Sequence, residues 1–315
     1  MSPIQTHDLI NFLKHPTLEL NPNFKKSWIY WFVLITGTQF LATIIALTAN
    51  FALIKLGFSG QNSVQNALND LPTWLFFLLL AVQAPITEEI TFRLFLKPSP
   101  KRWLLSFFGL AFYTQIILRD FGLSFRYSIF GYTNSLVSTL LNSAVLTLII
   151  FLIWRSYPKI KESLEPFFIK HFVWFFYISG LSFGLIHIQN YSGLNNLWWL
   201  APFLILPQAL VGLVISYIRV RMGFKWGVFS HSFYNTISAL PVLILSFLPK
   251  ETFALFTSTI ENDELTKKIA ALPSSQTSIL GVAILMFVLV GFISFVSFVL
   301  LCYNYFRHQK NQPQN

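Results

Sequence analysis

Long apolar runs separated by short polar stretches dominate the chain, at 28–54, 72–96, 103–118, 135–154, 172–188, 197–218, 226–248 and 278–303. Each is long enough, or nearly so, to cross about 30 Å of hydrocarbon as a helix. The run Trp103–Leu118 is the shortest, and the runs 172–188 and 226–248 carry polar residues in their interiors. The pattern predicts an all-α fold, a polytopic transmembrane helix bundle of about eight spans. Residues 1–27 are expected to form a cytoplasmic segment, 28–303 a single transmembrane domain, and 304–315 a tail whose end, Asn311–Asn315, frays. No internal repeat or low-complexity tract interrupts this organisation.

Composition agrees. Of 315 residues, 54% are hydrophobic and 11% charged, against roughly 25% charged in an ordinary soluble domain. Such a chain could fill a large core but could not clothe it in polar side chains. The net charge of +10 would suggest nucleic acid if the basic residues formed one patch. They fall instead in clusters between the apolar runs, so no nucleic-acid partner is expected. Fifteen of them occupy alternate loops: Lys14, Lys25, Lys26; Lys97, Lys101, Arg102; Arg155, Lys159, Lys161, Lys170; Arg219, Arg221, Lys225; Arg307 and Lys310. The opposite loops hold six: Lys55, Arg119, Arg126, Lys250, Lys267 and Lys268. The positive-inside bias therefore puts both termini in the cytoplasm and the acidic loop 249–277, with Glu251, Glu261, Asp263 and Glu264, outside. Residues 1–27 lack the apolar core of a signal peptide, so retention of the N-terminus is expected. The Asn/Lys/Ile/Phe-rich composition points to a prokaryotic inner membrane. The single cysteine, Cys302, permits no intrachain disulfide.

Ten of the twelve acidic residues lie in loops or termini; the other two, Glu88 and Glu89, are adjacent inside the second span. An ionisable residue at the centre of a helix costs about 2.5–3.5 kcal/mol on insertion scales, and Leu, Phe or Val each return only about 0.3–0.6 kcal/mol. Two glutamates and Arg93 must therefore face partners or a wet cavity. Glu89 and Arg93, four apart with the acid first, share a helical face, which leaves Glu88 pointing elsewhere. Pro85 just upstream can start or kink a helix, and a new N-terminus there would favour the carboxylates. A buried packing network is the bland alternative. Further polar groups weigh against it: His187 follows Phe183 by four residues, and Asn235 follows His231 by four. Convergence of these side chains from three apolar helices is the least costly arrangement for all of them.

These motifs, Glu88-Glu89-x-x-x-Arg93, Phe183-x-x-x-His187 and His231-x-x-x-Asn235, resemble in order the three motifs of the CAAX-processing and bacteriocin-processing (Abi) family. Its members are intramembrane glutamic proteases, formerly classed as metalloproteases, and include CAAX prenyl endopeptidases. The segment Gly212–Asn235, with Tyr217, Arg219, Gly223 and Trp226, also resembles the approach to the third motif. The likeness covers roughly 72–100 and 170–240. It departs from the pattern in two ways: Leu94 follows the motif arginine where a small residue is common, and residues 98–170 look like an insertion carrying two extra spans.

The resemblance implies an endopeptidase in which Glu88 is general base to a water and His187 orients it. His231 and Asn235 would stabilise the oxyanion, and Glu89, Arg93 and Phe183 would support the site. The implied partners are the lipid bilayer and a peptide or membrane-protein substrate; in eukaryotic relatives it is the C-terminal tripeptide of a prenylated protein. No cofactor is implied by the glutamic mechanism. A zinc version would draw on Glu88, His187 and His231, although no His-Glu-x-x-His is present. A non-catalytic immunity or scaffold protein keeping a polar pocket is another reading. So is a proton-coupled transporter, without inverted repeats to favour it. By helical rise Glu88 lies about 13 Å from Lys97 and Asn235 about 15 Å from Lys225, but His187 lies about 25 Å from Lys170. The fifth helix must then start below the membrane surface and tilt, or begin elsewhere than residue 172.

Overall fold

In lipid a backbone can satisfy its own polar groups only as helix or closed barrel. The computed structural model describes residues 6–18, 27–58, 67, 70–120, 136–257 and 262–310, and among these the elements are helices, with no strand. In chain order they are α1 (Thr6–Lys14), α2 (Trp28–Lys55), α3 (Thr73–Phe92), α4 (Pro100–Asp120), α5 (Leu136–Ser156) and α6 (Pro158–Lys170). They continue with α7 (Phe172–Ile186), α8 (Ala201–Met222), α9 (Phe224–Leu245), α10 (Lys250–Thr257), α11 (Asn262–Ala270) and α12 (Ser274–Lys310). The loop charges Lys25, Lys26, Arg126 and Glu261, and the tail Asn311–Asn315, lie outside the described residues.

Seven helical segments among the described residues are long and apolar enough to span a membrane: those built on α2, α3, α5, α7, α8, α9 and α12. The run Trp103–Leu118 does fold as a continuous helix, α4, but is not among the seven. Lys101 and Arg102 at its start, and Ser106, Gly109, Thr114 and Gln115 along it, dilute its apolar character. It is held by specific contacts instead. Ser106 donates to the Ile90 carbonyl of α3 at 2.7 Å, and Gln115 donates to Ser143 of α5 at 2.9 Å. The fifth span does begin at Phe172, because α6 ends at Lys170 and His171 breaks the rod before α7.

α8 is the central rod, packed against α2, α7 and α9, while α12 lies along α2 and α4 joins α3 to α5. Tyr30, Leu34, Ile35, Phe176, Ile215 and Ile218 form the middle of the main core. α5 and α12 turn long apolar faces outward, among them Leu148, Leu152, Phe287 and Phe292, as lipid-facing helices do. The N-terminal segment is not separate from this bundle. α1 pushes Leu9 and Phe12 into the main core, and its Asp8 accepts hydrogen bonds from Tyr217 at 2.8 Å and Arg221 at 3.2 Å.

Candidate active site

The site is built on a local fault in α3. Residues Leu79–Gln83 are wound as a π-turn, in which the Ala84 N–H reaches back five residues to the Leu79 carbonyl. Pro85, buried in the turn that follows, brings no N–H of its own. α3 then continues as ordinary α-helix through Glu88 and Glu89 to Phe92, and Arg93 caps it with its N–H on the Glu89 carbonyl.

Glu89 and Arg93 are both wholly buried and joined by a hydrogen-bonded ion pair between Arg93 Nη1 and Glu89 Oε1. The rest of the guanidinium is also engaged. Its Nε donates to Ser216 Oγ at 3.2 Å, its Nη2 to the Gly212 carbonyl at 3.4 Å, and its plane lies 4.2 Å from the centre of the Phe183 ring. A buried guanidinium has to be met on every side, and this one is met by α3, α7 and α8 together. Ser179 of α7 donates to the Phe92 carbonyl at 2.5 Å and lies 3.2 Å from Ser216. Glu89 Oε2 has no hydrogen-bond partner among the described residues. It faces Gly227 of α9, where an added Cβ would lie 3.1 Å away, a tight contact that would press on the carboxylate.

His231, 2% exposed, stands between the two glutamates. Its Nδ1 is 3.0 Å from Glu89 Oε1 and its Nε2 is 3.5 Å from Glu88 Oε2. Glu88 keeps a 12% exposed side chain, whereas Glu89 keeps none. Phe183, fully buried, meets the His231 ring edge-on at 5.2 Å and lies 4.8 Å from the His187 ring. His187 opens a 3-10 turn (His187–Asn190) just beyond α7. Its Nδ1 lies 2.7 Å from the Phe183 carbonyl. A carbonyl only accepts, so Nδ1 carries the proton and Nε2 presents a lone pair. Both Glu88 and His231 are near enough to act on this ring electrostatically.

Six of the seven side chains singled out from the sequence, Glu88, Glu89, Arg93, Phe183, His187 and His231, thus form one cluster. Asn235 is placed differently: its amide nitrogen donates to the Leu80 carbonyl in the π-turn at 2.9 Å. Several participants carried no motif. Ser179 and Ser216 are single hydroxyls in apolar helices. Tyr113 of α4 brings its phenol within 3.3 Å of the Thr87 hydroxyl, near enough to Glu88 to feel its charge. As for zinc, no group of three or more His, Cys, Asp or Glu side chains among the described residues is arranged to hold a metal ion.

No curated protein and no solved structure matches the chain. The profile of one family does match, over residues 70–237, from just before α3 to the Asn235 turn of α9. That stretch holds every side chain of the cluster and more than half of the sequence, so the chain belongs to the Rce1-like family of type II CAAX prenyl endopeptidases.

Proposed function

We propose that this multi-pass membrane protein is an endopeptidase that hydrolyses a peptide bond of a membrane-associated substrate with a water activated by Glu88. The observation that carries the reading is the division of labour between adjacent carboxylates. Glu89 Oε1 is held by Arg93 and His231 and the side chain is wholly buried, while Glu88 keeps some exposure and its ion-pair contact among the described residues is the His231 imidazole at 3.5 Å. A general base must be free to take a proton and close to what it acts on.

Glu88 takes one proton from a water as the oxygen attacks the scissile carbonyl. His187, with its Nε2 lone pair, accepts the second hydrogen of that water and holds it in line. The oxyanion of the tetrahedral species is met by an N–H of the Asn235 amide and by His231, which donates from Nε2 in its doubly protonated form because its Nδ1–H is held by Glu89, donors fixed in a low-dielectric site. Collapse breaks the C–N bond, and the proton held by Glu88 passes to the departing amine, so the carboxylate is regenerated. Glu89, Arg93 and Phe183 hold the imidazoles in register. Family membership supports a CAAX-type substrate, a peptide C-terminus brought to the membrane. The basic-loop asymmetry supports cytoplasmic termini, which requires α4, 21 residues long, to cross as an eighth span beside the other seven, and the composition supports a prokaryotic inner membrane, with the site opening to the cytoplasmic half of the bilayer.

Purified protein in detergent or proteoliposomes, given a prenylated and a matching unprenylated CAAX peptide, tests the reading. Glu88→Gln should leave an inserted, folded protein whose turnover is at least about 100-fold lower, the lower end of a general base's contribution. Chelation of divalent metals should leave wild-type cleavage intact. Normal cleavage by Glu88→Gln would overturn the base assignment, and loss of cleavage on chelation with recovery on adding zinc would overturn the metal-free mechanism.

A further inference from the structure

The π-turn and Pro85 together leave the Leu80 carbonyl without a backbone donor in either helical register. In α register the Leu80 carbonyl would take the Ala84 N–H, but that N–H is spent on Leu79. In π register it would take the N–H of residue 85, and residue 85 is proline. A half-buried carbonyl left unpaired is costly, and the partner that fills the gap is the side chain of Asn235, 2.9 Å away on α9.

We infer that Pro85 is a positioning residue for Asn235: by denying Leu80 a backbone partner, it makes that carbonyl the anchor for the amide. An asparagine amide has two N–H donors on one planar nitrogen. With one bound to Leu80 the plane can no longer spin, and the second N–H takes a fixed direction. Asn235 lies one turn beyond His231 on α9, so that direction is set relative to the imidazole facing Glu88. π-turns inside α-helices often sit at functional sites, and here the turn has a definite product, an exposed acceptor. Donors aimed in advance need no reorganisation as charge develops. The inference rests on the role proposed above for Asn235 as an oxyanion donor.

The experiment is a double-mutant cycle in the full-length protein, with kcat and KM measured on the same prenylated peptide. Pro85→Ala supplies the missing N–H at a position where alanine fits a helix without strain. It should lower kcat about 10-fold with KM unchanged, because Leu80 can then close onto the backbone and release the amide. Pro85→Ser restores the same N–H and should behave alike. Asn235→Ala should lower kcat at least as much, and adding Pro85→Ala to it should change nothing further, the non-additivity expected of residues acting as a unit. Full turnover in Pro85→Ala, or the same 10-fold loss in the Asn235→Ala background, would overturn the positioning role alone. Full turnover in Asn235→Ala would remove the reading on which the inference rests, and the inference with it.

Discussion

At the scale of single residues, the most exposed to mutation is Arg93, because everything around it is built to its shape. Its fork meets Glu89, Ser216 and Gly212 while its face lies on Phe183. A lysine keeps the charge but has neither the planar fork nor the stacking face. Arg93→Ala leaves the Glu89 carboxylate, with no exposure at all, only the His231 imidazole as a partner among the described residues, and breaking a buried pair from one side costs about 3–5 kcal/mol. Arg93→Lys should therefore unfold at clearly lower denaturant concentration than wild type, and Arg93→Ala lower still. The double variant Glu89→Gln/Arg93→Met should recover much of the loss, since it leaves no lone charge. Unfolding curves in detergent followed by tryptophan fluorescence check the order. The Glu89–Arg93 partnership could be read from sequence because four-residue spacing in a helix is a geometric certainty once the helix is granted. Ser216 and Ser179 could not: one hydroxyl in an apolar helix looks the same whether it braces a guanidinium or bonds its own backbone.

Among the elements, α7 and α8 meet more closely than side chains allow. A Cβ on Gly184 would lie 2.9 Å from the Ala209 backbone nitrogen and 2.8 Å from its Cβ, and one on Gly180 would come within 3.1 Å of the Leu213 backbone nitrogen. Glycines four apart on a spanning helix permit this kind of backbone approach, and the approach carries Phe183 and His187 toward α9. Gly184→Leu should force the helices apart, cost about 1–3 kcal/mol as overpacking does, and lower cleavage with it. Gly281→Leu on α12, where an added Cβ meets nothing within 4 Å, is the matched control and should leave both unchanged in stability and activity assays. The length of the apolar runs made α2, α5, α7, α8 and α9 legible to within about four residues, because a bilayer fixes how long a span must be, whereas α12 runs on to Lys310, past the expected end at residue 303. Trp103–Leu118 was legible as a helix but not as a packing brace between α3 and α5. The π-turn was announced only by Pro85, and a proline in sequence does not say which carbonyl it will orphan.

For the whole molecule, the question is what joins the buried polar cluster to the end of the bundle, and α8 is the connection. Along one face it offers Gly212 and Ser216 to Arg93; a turn later Arg219 donates to the Arg93 and Leu94 carbonyls at 3.3 and 3.4 Å. The neighbouring Tyr217 and Arg221 hold Asp8 of α1, and Tyr30 of α2 meets Tyr217 hydroxyl to hydroxyl at 3.0 Å. Phe12 fills the space between these groups, 2% exposed, with the Arg221 guanidinium 4.7 Å from its ring and Phe176 and Tyr217 edge-on to it. The apolar positions of α1 are too few to count as a span, so their place was not legible in the sequence, whereas in the bundle they complete a core. α1 thus acts as a wedge against α7, α8 and α12 at the end of the core beyond Arg93. Phe12→Ala should cost about 3–5 kcal/mol, the usual price of emptying a buried phenylalanine site. Asp8→Asn, which keeps the shape but loses the charge facing Arg221, should cost about 1–3 kcal/mol. If the wedge also keeps α8 in register with the cluster, Phe12→Ala should lower kcat at temperatures where the protein is still folded, with added denaturant unnecessary to see it. Wild-type kcat in a demonstrably weakened Phe12→Ala protein would confine α1 to stability and leave the cluster to be held by α3, α7 and α9 alone.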